Sequence, residues 1–105
     1  MSAEQERNMN GILEKLAEAY NRSLREWRRD QKNGFKDGHM LGFYEIKEAW
    51  LNMLDEGRSP AELRAETRKQ FDRAKSEWIR DQKNSFKDGR LLACFEALQL
   101  FPAAI

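Results

Sequence analysis

The chain has 105 residues, 40% of them hydrophobic and 35% charged, with six Gly, two Pro and one Cys; this fits a single globular domain over residues 1–105 with one modest core. Its 19 Lys and Arg against 18 Asp and Glu leave a net charge of +1, so no global field drives it to nucleic acid, a membrane or an acidic substrate. A lone Cys94 excludes a disulfide framework, the lack of a Cys/His cluster excludes a zinc module, and no stretch reaches the roughly 18 consecutive apolar residues of a membrane span.

The N-terminal MSAEQERNMNG does not have the basic-then-apolar pattern of a secretory signal, and a cytoplasmic location is expected. Ser2 followed by Gln5 fits a capping box, so the first helix should begin almost at once. Met9, Leu13, Leu16, Tyr20, Leu24, Trp27 and Gln31 recur at steps of three or four and define its apolar face, with Glu14, Glu18, Arg22, Arg25 and Arg29 opposite. Asn33-Gly34 is the expected stop, because Asn and Gly most readily take the left-handed conformation that closes a helix; Asp37 is the expected N-cap of the next.

The second run, from Met40 through Phe43, Ile46 and Trp50 to Leu54, is apolar over more than half its circumference and reads as a central helix. DEGRSP ends it, giving a linker at about 56–60: Gly57 lies past the C-terminus, Ser59 is the N-cap, Pro60 takes the first helical position and Glu62 completes a capping box. The third helix carries Leu63, Thr67, Phe71, Ala74 and Trp78 on one face, with Asn84 closing it and Asp88 capping the fourth, which runs from Gly89 to about Phe101 and stops at Pro102.

An internal repeat organises these elements. EWRRDQKNGFKDGHML recurs as EWIRDQKNSFKDGRLL at an offset of 51 residues, the distance from Trp27 to Trp78, so two copies span about 12–50 and 63–101. Short connections make successive helices antiparallel neighbours. The expected architecture is all-α: a four-helix bundle built from two tandem helical hairpins related by a pseudo-two-fold axis. A rival arrangement opens the hairpins to pair with those of another chain.

Both copies keep the string Arg-Asp-Gln-Lys-Asn and then Phe-Lys-Asp-Gly, while apolar positions drift. Capping accounts for much of this: Asp30 and Asp81, or Asn33 and Asn84, can bond free backbone groups, with Phe35 and Phe86 plugging the end of the bundle. A calcium loop starting at Asp30 fails, because Lys32, Gly34 and Leu41 would stand where oxygen ligands are required. Phosphate-loop motifs are absent.

Local charge is less balanced than the total. From Arg22 to His39 there are six basic residues against three acids, and from Arg64 to Arg90 nine against five. Both stretches converge on the repeated loops, where the fold either pairs them into one surface or places them at opposite ends. The bland alternative is a solvated helix face with pairs such as Glu18–Arg22 and Glu77–Arg80.

Catalysis has little to rest on. The single His39 has Arg90 as its counterpart, and Cys94, in place of Phe43, reads as a small core residue rather than a nucleophile. Glu45 and Glu96 could meet as a metal pair, but the Glu-x-x-His motifs of di-metal bundles are missing, so surface or helix-dipole pairing is expected. Trp27, Trp50 and Trp78 fall on the predicted buried stripes. Phe101, Ala103, Ala104 and Ile105 are a candidate edge for a partner groove.

The sequence thus points to a non-enzymatic module without cofactor or metal that docks on another protein as an adaptor, regulator or inhibitor, of a kind a phage or mobile element would encode. Arg29, Lys32, Lys36, Arg80, Lys83 and Lys87 are the expected contact residues. The alternative partner is nucleic acid, bound through the same patch. A homodimer formed by the N-terminal extension or the apolar C-terminus is compatible with either.

Overall fold

A computed structural model describes residues 2–103 and contains four helices: α1 (Ala3–Arg29), α2 (Gly34–Asp55), α3 (Pro60–Arg80) and α4 (Ser85–Leu98). They form an all-α bundle, and among the described residues there is no strand. Ala104 and Ile105, part of the proposed C-terminal edge, lie outside the described residues.

The predicted starts of α1 and α3 are found as written. Ser2 and Ser59 accept from the backbone N–H groups of Gln5 and Glu62, whose side chains reach back to the cap N–H. Arg58 donates to the Glu62 carboxylate, and that hydrogen bond, with one from the Ser59 backbone, holds the carboxyl below its usual range. Gly57, at φ +77°, is the only described residue in the left-handed region, where it closes α2.

The repeated loops are built differently from the sequence expectation. α1 and α3 stop at Arg29 and Arg80, with Asp30 and Asp81 as C-caps. Asn33 and Asn84 then open the following helices, each with extended φ/ψ and a side-chain oxygen accepting from the N–H of Lys36 or Lys87 at 3.1 Å. Asn33-Gly34 therefore does not end α1 in a left-handed turn, and Asp37 and Asp88 are not N-caps. They stand in the first turn, where their charge favours the positive helix end. A cap one turn earlier satisfies the same orphan N–H groups and lengthens α4 at its start, while its end comes at Leu98 instead of Phe101.

The two apolar helices lie together at the centre, with α1 against α2 and α3 against α4. Gly34 sits against Ser85, Gly42 against Ala93, and the rings of Trp50 and Phe101 meet edge to face at 4.9 Å. Equal steps along one chain segment meet equal steps along the other, so α2 and α4 run in the same direction. Small residues every fourth position, Gly34, Gly38 and Gly42 facing Ser85, Gly89, Ala93 and Ala97, make the seam. A Cβ on Gly38 would overlap the carbonyl oxygen of Phe86, and a Cβ on Gly89 that of Phe35; these two contacts join repeat-equivalent residues reciprocally.

Met9, Ile12 and Leu16 from α1 and Leu63 and Ala74 from α3 close the core over Phe43, Ile46, Trp50, Ala93, Cys94 and Ala97. The buried edge of α1 is rotated from its predicted stripe: Ile12 and Ser23 are buried while Leu13 and Leu24 are only partly so. Ser23 tolerates burial because its hydroxyl donates to the Tyr20 carbonyl at 2.7 Å. Of the three tryptophans only Trp50 is fully buried, its indole N–H donating to Thr67 at 2.8 Å while Thr67 donates to the Leu63 carbonyl. Trp27 and Trp78, near the helix ends, are half-buried.

Gly38→Ala or Gly89→Ala should cost about 3 kcal/mol or more in urea unfolding, since a methyl must displace backbone. Gly11→Ala, in open space within α1, should gain about 0.5–1 kcal/mol. Equal effects at the two kinds of site would contradict the seam.

Candidate functional site

Because α2 and α4 start side by side, the loops 30–33 and 81–84 occupy the same end of a molecule measuring 43 × 29 × 23 Å. All six candidate residues, Arg29, Lys32, Lys36, Arg80, Lys83 and Lys87, are thereby gathered there. Arg29, Lys32, Arg80 and Lys83 are exposed and make no ion pair among the described residues. Lys36 and Lys87 are partly tied down, at 3.8 and 3.6 Å from Asp30 and Asp81, the same aspartates that accept from Asn33 and Asn84.

The charge of this end belongs to side chains. Two helix C-termini and two N-termini alternate there, so their partial charges largely cancel. Arg28 adds a further exposed cation, and its repeat counterpart Ile79 is 54% exposed. At the opposite end Glu4, Glu6, Asp55, Glu56 and Glu62 are exposed beside Arg7 and Arg58, so the chain is polarised along its length despite its near-neutral total.

Just below the basic end, an ion pair and a histidine–carboxylate hydrogen bond tie α2 to α4. Arg90 donates to Glu45 at 2.6 Å and approaches Glu77 at 3.8 Å; His39 lies 2.7 Å from Glu96, its ring between Phe35 and Phe43. Residues 39 and 90, and 45 and 96, are repeat equivalents. Glu45 and Glu96 therefore do not pair on the surface of their own helix or meet each other, and Glu77 turns to Arg90 instead of Arg80. The sequence signal was a basic residue and a Glu retained six positions apart in both copies, a spacing no single helix can bridge.

No group of His, Cys, Asp and Glu among the described residues has the arrangement to hold a metal ion. A cleft of about 60 Å³ lies where Cys94 replaces the larger Phe43, lined also by Gly42, Ala74, Arg73 and Arg90. Burial pushes the Cys94 thiol up to about 11, against its use as a nucleophile at neutral pH. No helix of the described residues is long and apolar enough to cross a membrane.

Comparison with protein-family models, with curated proteins and with solved structures finds no match to the chain.

Removing either loop cap, by Asn33→Ala or Asn84→Ala, should cost about 1 kcal/mol in thermal unfolding. Cys94, 4% exposed, should react with a thiol reagent at neutral pH only after denaturant is added; rapid labelling of the folded chain would contradict its placement.

Proposed function

We propose that the chain is a protein–protein interaction module that docks through its basic end onto an acidic surface of a partner protein, as an adaptor, regulator or inhibitor. The observation that supports this reading is the meeting of two copies of one polar loop at a single end, each presenting the same unpaired Arg and Lys to solvent. Asn33 and Asn84 account for the caps, and Arg29 and Arg80 also complement the C-terminal ends of α1 and α3, but Lys32 and Lys83 form no ion pair among the described residues and serve no cap.

A protein partner is favoured over nucleic acid because aspartates stand among the cations: Asp30 and Asp81 hold Lys36 and Lys87, and Asp37 and Asp88 follow in the next turn. A polyanion would have to lie against them, whereas a folded partner can place its acids selectively.

Reversing Arg29, Lys32, Arg80 and Lys83 to Glu disturbs no ion pair of the fold. It should weaken capture of the partner from native extract on the order of tenfold or more, with helical circular dichroism unchanged. Capture should survive nuclease treatment. Undiminished capture by the reversed variant would overturn the proposal, and loss on nuclease treatment, with duplex binding that falls steeply as salt is added, would assign the patch to nucleic acid.

A further inference from the structure

The outer wall of the second hairpin carries an apolar groove that the core leaves uncovered. Phe71 and Trp78 of α3 with Leu91, Leu92 and Phe95 of α4 line a space of about 290 Å³. Leu92 and Phe95 are 38% and 46% exposed, and the rings of Phe71 and Phe95 stand 6.1 Å apart across it. A contiguous apolar strip of this kind on a small protein marks an interaction surface. One charge stands on each wall, Lys75 on α3 and Asp88 on α4, and neither forms an ion pair among the described residues.

We propose that this groove is the interface between two copies of the chain, lying side by side and pointing the same way about a two-fold axis parallel to α3 and α4. The charges choose the occupant. In a two-fold interface α3 of one copy faces α4 of the other, so each Lys75 meets Asp88 of the second copy, and the pair forms twice. Their heights agree: Lys75 is five residues from the end of α3 and Asp88 three from the start of α4, about 8 and 5 Å from the loop at 1.5 Å per residue. Phe71 and Phe95, nine and ten residues from the same ends, are level too and stack into one apolar layer. An opposed orientation that pairs Lys75 with Asp88 overlaps only the tips and leaves both phenylalanines in water.

The first hairpin does not offer the same surface. Tyr20 and Tyr44 stand 6.1 Å apart there as Phe71 and Phe95 do, and each pair has a cation over one ring, Lys47 on Tyr20 and Arg68 on Phe71, but Leu24 stands at the position of Lys75, which removes the complementary pair. The net charge of +1 per chain gives little long-range repulsion, but the parallel arrangement sets like ends side by side, so association should strengthen as added salt screens them. The assembled pair brings two basic ends next to each other, which doubles the surface available to an acidic partner, although the pairing itself stands without that role.

Sedimentation equilibrium of the intact chain over a concentration series tests this. A mass twice the 12.4 kDa of one chain is expected at the upper concentrations. Phe95→Asp should leave a monomer with its helical circular dichroism intact, whereas Tyr44→Asp, at the equivalent exposed position of the first hairpin, should leave the dimer unchanged. Lys75→Asp should weaken association on the order of tenfold or more by opposing like charges, and adding Asp88→Lys should restore it. Reversal of Arg29, Lys32, Arg80 and Lys83 should leave the dimer intact, so failure of the docking reading and failure of the dimer are told apart. A monomer at every concentration, a dimer insensitive to Phe95→Asp, or no rescue by the double exchange would overturn the proposal.

Discussion

At Gly38 and Gly89 the backbones of α2 and α4 approach so closely that a single methyl on either would overlap a carbonyl oxygen of the other helix. Close packing of this kind fixes register and direction, because Gly38 and Gly89 lie against the carbonyl groups of Phe86 and Phe35 and a shift along the helix would take both off those contacts. The parallel order of the central helices follows from it. So does the placement of both repeated loops at one end, and so do the two crosswise hydrogen bonds, His39 with Glu96 and Arg90 to Glu45, which only this register brings within 2.7 Å. α1 and α3 then cover the outer flanks of a pair whose geometry is already set.

That constraint also shapes the electrostatics. With helix termini of both signs alternating at the loop end, backbone dipoles contribute little net field, and the positive potential there depends on a few long, exposed side chains. In the docking role proposed above, such side chains would steer and select an acidic surface. The acids on the far end balance them in the total charge without screening them, since the 43 Å length exceeds by several fold the roughly 8 Å Debye length at physiological ionic strength.

The two hairpins have the same plan and different surfaces. Phe43 stands where the second copy has Cys94, Leu24 is partly buried where Lys75 is exposed and charged, and Lys47 lies over the Tyr20 ring where its counterpart is Leu98. The differences at Lys75 and Lys47 sit away from the glycine seam, where substitution is tolerated because side chains and not backbone meet there. The outer face of the second hairpin is thus free to serve as an interface while the shared tips keep one chemistry.

Four helices, their order and the two Ser capping boxes were legible in the sequence, because those signals are local: a hydroxyl and a carboxamide or carboxylate three residues apart, an apolar residue every third or fourth position. The repeat itself, and the basic character of both loops, needed no coordinates either. The loop caps were misassigned by one turn, since Asn and Asp compete for the same free N–H groups and only the backbone path selects Asn33 and Asn84. Which end each loop occupies, the pairing of Glu45 with Arg90 and of Glu96 with His39, and the rotation that buries Ser23 beside Ile12 were decided by tertiary structure alone. The first two depend on how α2 lies on α4, a relation between residues some fifty positions apart that glycine spacing permits but periodicity along one helix does not encode, and the third on how α1 lies on α2.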